Sequence, residues 1–268
     1  HTTQTHARSQ VRAHTRTQSQ FPCITHTGPM PKERVSYILR GATVAWGPAD
    51  DTSSLLAAGT VAGAISESFD ASAALEIFSM DLGSSTGEME LLGTVQTAER
   101  FHRLAWGVQG TANSVPHGML AGGTVDGSIN IYNPALISQG RDALIASVER
   151  HKQLGPGGVR ALEFNPGVPN LLASGAGESE IIITDLSNPS APSVYAPGAS
   201  SSALPTDISC VAWNLKVQHI LASTGHNGQS VVWDLKLKRP VISFADPSNK
   251  AQRNSVIQWS PEMSTQVR

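Results

Sequence analysis

Histidines, cysteines and Gly-rich turns are the residues of this 268-residue chain whose types could do chemistry. His151 lies eight residues before Val159, just ahead of an apolar run, and His219 and His226 flank another such run. A histidine so placed is a candidate general base or metal ligand, but no nucleophile elbow, paired carboxylates or His-x-x-x-His helix accompanies it. Hydrogen-bonded structural histidines are the expectation at all three positions. Gly175-Ala-Gly177 has the composition of a phosphate loop, yet it precedes a strand instead of opening a helix, and no third Gly or Lys follows in place. It reads as a turn between strands, and Gly155-Pro-Gly-Gly158 as a connection between repeating units. Asp126-Gly127, Glu178-Ser179 and Asn227-Gly228 start six residues before Tyr132, Thr184 and Trp233. Asp or Asn followed by Gly tolerates the left-handed backbone region, so these pairs read as tight hairpin turns. Cys23 and Cys210 give neither a disulfide framework nor zinc-ligand spacing. No catalytic, cofactor-binding or metal-ligating residue is therefore assigned, and the expectation is a protein that is not an enzyme and needs no cofactor.

The elements that carry these residues repeat. Five apolar runs end in an aromatic followed by a turn: Thr43-Val-Ala-Trp46, Arg103-Leu-Ala-Trp106, Ala161-Leu-Glu-Phe164, Cys210-Val-Ala-Trp213 and Val256-Ile-Gln-Trp259. Their aromatics, at 46, 106, 164, 213 and 259, are separated by 60, 58, 49 and 46 residues. A period of that size decides the architecture before any local motif does. Second strands follow at Leu55–Gly59, Met119–Gly123, Leu171–Gly175 and Ile220–Thr224, and third strands at Leu75–Phe78, Ser128–Tyr132, Glu180–Thr184 and Ser230–Trp233. Weaker fourth strands are drawn at Met89–Val95, Leu144–Val148, Ser193–Ala196 and Val241–Phe244. The runs are short, rich in β-branched and aromatic residues and bounded by turn formers, whereas helical spacing is nearly absent.

A four-stranded unit cannot close its own core, so its neighbours must cover it. Radial stacking does this while leaving only short edges. The fold class expected is all-β, a β-propeller that is incomplete: about four blades, near 38–98, 99–150, 151–200 and 201–246, plus the first strand of a fifth over 247–268. Small residues on the second strands, such as Ala57, Gly123, Ala173 and Ala222, suit a tapered interior. A β-sandwich with fortuitously similar hairpins is the alternative. About seven blades of roughly 40–45 residues would need about 300 residues, so the chain reads as a piece of a longer protein. Residues 1–34, with four of the nine histidines (His1, His6, His14, His26) and almost no aliphatic content, read as a disordered or extraneous leader. The net charge of −2 argues against non-specific nucleic-acid binding, and no run of 18 apolar residues offers a transmembrane helix.

The units resemble WD40 repeats. Trp233-Asp234 is the signature dipeptide, Asp185-Leu186 and Asp81-Leu82 are degenerate versions, and the Gly-His pair that opens a repeat is missing from its standard place. The family's buried network of His, Ser or Thr, Asp and Trp is therefore expected to be incomplete in every blade. A narrower resemblance is carried by Thr43-Val-Ala-Trp46 with Leu55-Leu-Ala-Ala-Gly-Thr-Val-Ala-Gly63, by Asn170-Leu-Leu-Ala-Ser-Gly-Ala176, and by Val217-Gln-His-Ile-Leu-Ala-Ser-Thr224 through Val231-Val-Trp-Asp-Leu235. Over about residues 38–268 the chain is similar to the N-terminal propeller of the large outer-cage subunit of the COPII vesicle coat, the Sec thirty-one family.

The resemblance implies a scaffold in vesicle formation and transport from endoplasmic reticulum to Golgi. It also implies a small WD-repeat outer-coat partner, other coat propellers at cage vertices, and inner-coat subunits reached mostly through regions outside this chain. Localisation would be cytoplasmic, at endoplasmic reticulum exit sites and on coated vesicles, with membrane association through the coat only. A generic WD40 adaptor in a ubiquitin-ligase or chromatin complex, binding a peptide at the central opening, is the competing reading. A propeller enzyme would need ionisable residues facing the channel, where the inner-strand ends promise mostly Ala, Ser, Gly and Thr.

Overall fold

Period-2 apolar runs separated by turn residues fold here as four antiparallel meanders. The structure, a computed structural model, describes residues 38, 40–48, 54–63, 72–81, 89–108, 117–177, 180–198, 205–246 and 253–268. The first sheet comprises β1 (Ala42–Trp46), β2 (Ser54–Thr60), β3 (Ala73–Met80) and β4 (Met89–Thr97). The second comprises β5 (Phe101–Gly107), β6 (Met119–Thr124), β7 (Ile129–Tyr132) and β8 (Leu144–Val148). The third is β9 (Ala161–Phe164), β10 (Leu171–Gly175), β11 (Ile181–Asp185) and β12 (Ser193–Tyr195). The fourth is β13 (Ile208–Trp213), β14 (Ile220–Gly225), β15 (Ser230–Asp234) and β16 (Arg239–Phe244). Strand order equals chain order in every sheet, the blade topology expected of an incomplete WD40-type propeller.

The core lies between blades, and the alternation of side chains across each strand explains why. On β6, Leu120 joins a cluster with Leu75 and Ile77 of the first blade, while Ala121 joins Leu162 and Phe164 of the third. On β10, Leu172 looks back toward Ile129 and Ile131, and Ala173 looks forward toward Trp213 and Trp233. On β14, Leu221 looks back and Ala222 forward, against Ile257 and Trp259. A repeated Leu-Ala step thus presents a large residue to the preceding blade and a small one to the following blade. Close approach demands the small residue's absence of bulk: a Cβ on Gly59 would stand 2.6 Å from the Phe101 ring, and one on Gly123 would stand 2.6 Å from the Val159 carbonyl oxygen.

Two features depart from the expected pattern. Two short helices are present, α1 (Pro134–Ser138) between β7 and β8 and α2 (Arg150–Leu154) between β8 and β9. Asn133 caps α1 by accepting a 3.0 Å hydrogen bond from the Ala135 N–H, and Pro134 supplies the first-turn φ. Five-residue helices are too short to leave an apolar periodicity, so strand-based reading passes over them. Second, Val256–Trp259 forms no ladder; Trp259 makes one bridge to Val267, and Gln258 and Arg268 exchange both backbone hydrogen bonds at 2.9 Å. The turn read at Glu178-Ser179 and the leader read over 1–34 lie outside the described residues.

Candidate interaction surfaces

Each singled-out histidine is held by a protein partner or sits at a groove wall. His151, on α2 and 2% exposed, meets the Ser174 hydroxyl through Nε2 at 2.9 Å. Burial first, and the Arg150 charge second, lower its pKa to about 4, so the ring is neutral near pH 7. His226 Nδ1 lies 2.7 Å from Asp207 Oδ2, and Asp207 also pairs with Arg160, tying the loop before the fourth blade to the turn after β14. Trp233 donates its indole N–H to the Ser223 hydroxyl at 2.8 Å. In the third blade Thr184 occupies the place of Trp233, and its buried hydroxyl finds no protein partner. Pieces of the WD40 network are therefore divided between blades three and four. At Asp126, hydrogen bonds from Thr124, Lys152 and Ser128 outweigh burial and hold the carboxyl down to about 2, a turn-stabilising role. Among the described residues, no three His, Cys, Asp or Glu side chains converge to hold a metal. No described helix is long and apolar enough to cross a membrane.

The inner strands β1, β5 and β9 line a groove of about 430 Å³. Its walls correct the expectation of small residues at the channel: Trp46, Arg103, Trp106, Glu163 and Phe164 all line it. Small side chains sit on the second strands instead, where blades approach most closely. Glu163 accepts a 2.6 Å hydrogen bond from the Trp213 backbone N–H, and the Trp213 indole N–H returns a 3.0 Å bond to the Glu163 carbonyl. Desolvation dominates these interactions and raises the Glu163 carboxyl to about 7. The same indole latch recurs one blade on, from Trp259 to the Ala212 carbonyl at 3.0 Å. Glu163 thus locks neighbouring inner strands together.

A second groove of about 520 Å³ lies between the third and fourth blades, beside the turns that enter β10 and β14. Apolar surface is also open at both ends of the blade series. Val44 and Trp46 of the first blade are 51% and 53% exposed, and Ile242 on β16 is 57% exposed.

Comparison with known proteins places this geometry. No family model matches the chain. It is 38% identical over 244 residues to protein transport protein SEC31 of Dictyostelium discoideum, a match covering 87% of this chain and 17% of that protein. It is 41% identical over 235 residues to Sec31A of Gallus gallus, covering 87% of this chain and 19% of the relative. Over most of its length the chain is homologous to Sec31. Human Sec31A gives the same picture, 40% identity over 230 residues. The chain spans under a fifth of the length of these Sec31 relatives. A solved structure described as the outer coat vertex of COPII on membranes superposes with a TM-score of 0.68 at 30% identity, covering 85% of this chain and 57% of that one. A second, of the COPII coat assembled on membranes, gives the same TM-score and identity over 31% of its chain.

Proposed function

We propose that this chain is the N-terminal propeller of a COPII outer-coat scaffold, acting in vesicle formation and in transport from endoplasmic reticulum to Golgi. The observation that carries the reading is the joint likeness, about 40% identity to Sec31 proteins and a shared backbone with an outer-coat vertex chain. Geometry supports it from a second side. Glu163 in the inner groove is spent on holding the third and fourth blades together, which suits a rigid spacer better than a catalyst. A scaffold gains avidity by repeating weak contacts that can still release, and large open faces are consistent with the role. The chain acts without catalysis, in the cytoplasm, on the coat at endoplasmic reticulum exit sites. Its partners are a small WD-repeat outer-coat subunit, other coat propellers and inner-coat subunits. The test is affinity purification of the full-length protein from cells with mass spectrometry of what accompanies it. Recovery of the small partner and inner-coat subunits is expected; absence of both contradicts the proposal.

A further inference from the structure

The groove between the third and fourth blades is built from turns that are braced before anything binds. The Asn165 carbonyl oxygen Oδ1 accepts the N–H groups of Gly167 and Val168, both at 2.9 Å, and Asn214 does the same for Lys216 and Val217. Asp234 repeats the device for Lys236 and Leu237, at 2.9 and 3.1 Å. The two entering turns are also tied to each other, by Asn165 Nδ2 to the Gln218 carbonyl at 2.8 Å and Gln218 Nε2 to the Gly167 carbonyl at 3.3 Å. The groove is therefore a fixed shape held by side-chain caps at conformationally simple turns.

Its chemistry is two-sided. Leu171, Val217 and Leu235 supply an apolar floor, with the half-exposed Tyr195 ring beside it. Lys216 and Lys236 stand on the rim, both exposed, and neither ammonium pairs with a carboxylate among the described residues. The lining contains no Asp or Glu. Asp185 and Asp234 stand near these turns, but their oxygens accept hydrogen bonds from Asn170 and Ser187 and from the Lys236 and Leu237 N–H groups. Two cations outside any ion pair, over a preformed apolar floor, complement an extended segment in which acidic residues alternate with aliphatic ones. Alternation suits an extended chain, since successive side chains then point to floor and rim in turn. We propose that this groove docks an acidic, leucine-containing linear peptide of a partner protein. The surface is lined by other residues than the inner-strand groove, which it adjoins at the 165–168 turn, and its use does not depend on the coat reading.

Fluorescence anisotropy with the full-length protein tests it. The probe is a fluorescein-labelled peptide of alternating leucine and aspartate or glutamate, and the control is its lysine counterpart. The acidic peptide is expected to bind saturably and to weaken as salt rises. Binding should fall about ten-fold or more in the Lys216→Glu/Lys236→Glu double variant and stay unchanged in Arg141→Glu, an exposed cation on the second blade. Equal binding by wild type and the double variant, equal binding of the lysine peptide, or no saturable binding overturns the proposal. So does sedimentation showing that the double substitution abolishes self-association, because a second copy would then be the occupant. Cellular co-purification with coat subunits is read separately, so failure here is distinguishable from failure of the scaffold role.

Discussion

Buried polar atoms with and without partners set the energetics at individual residues. Thr184 is fully buried with an unpartnered hydroxyl, and an unsatisfied hydroxyl costs about 1–3 kcal/mol. Thr184→Val should raise stability by about 1 kcal/mol in urea titration; a loss of that size would show that the hydroxyl does have a partner. His151 and Glu163 give opposite pH dependences. The His151 ring titrates near 6.5 when unfolded and about 4 when folded, so between those values the unfolded chain takes up a proton the folded one refuses. Stability therefore falls as pH drops through that window, by up to about 3 kcal/mol. Glu163 titrates near 4.5 unfolded and about 7 folded, so stability falls as pH rises through that window, by less because its side chain is part exposed. The slopes oppose each other between 4.5 and 6.5. Urea midpoints against pH should lose the acid-side fall in His151→Gln and the fall toward neutral pH in Glu163→Gln. Identical profiles for both variants would refute the assignment. The hydrogen-bonded roles of His151 and His226 were legible from their places beside strands; His219 instead lines the groove between the third and fourth blades. The role of Glu163 was not legible, because a single Glu within an apolar run carries no signal that its partner is Trp213, 50 residues away in sequence.

At the level of strands and blades, the aromatic-capped runs that betray the repeat have a mechanical task. Trp213 and Trp259 each latch onto the inner strand of the preceding blade through the indole N–H. Trp213→Phe keeps most of the packing and loses the latch, so it should destabilise by about 1–2 kcal/mol, and the Glu163 carbonyl is left without that donor. Gly123→Ala drives a Cβ against the Val159 carbonyl, a backbone atom that cannot rotate away, and should cost about 1–3 kcal/mol. Chemical denaturation reads both changes; wild-type stability in either would contradict the interblade account. Strand order and blade pairing could be read from sequence because period-2 runs and Gly-rich turns recur at matched offsets. The helices α1 and α2 could not, since one turn of helix has too few residues to show a period.

For the whole molecule, the core is a series of slabs between blades, so each exposed end keeps an apolar face. The isolated 268-residue chain should self-associate through Val44 and Trp46 at one end and Ile242 at the other. Light scattering should show Trp46→Lys/Ile242→Lys shifting it toward monomer; a monodisperse wild-type monomer would contradict this. The groove at the third and fourth blades escaped sequence reading entirely, since its walls come from turns about 50 residues apart that no local pattern joins. The central claim, a propeller that holds surfaces in place in a vesicle coat, is tested most directly by cryo-electron tomography. The full-length protein would be reconstituted with inner-coat proteins on membranes. The account predicts density for this propeller at the vertices of an outer lattice. Vesicles that carry the inner coat but show no such density, with the protein left in solution, would contradict it.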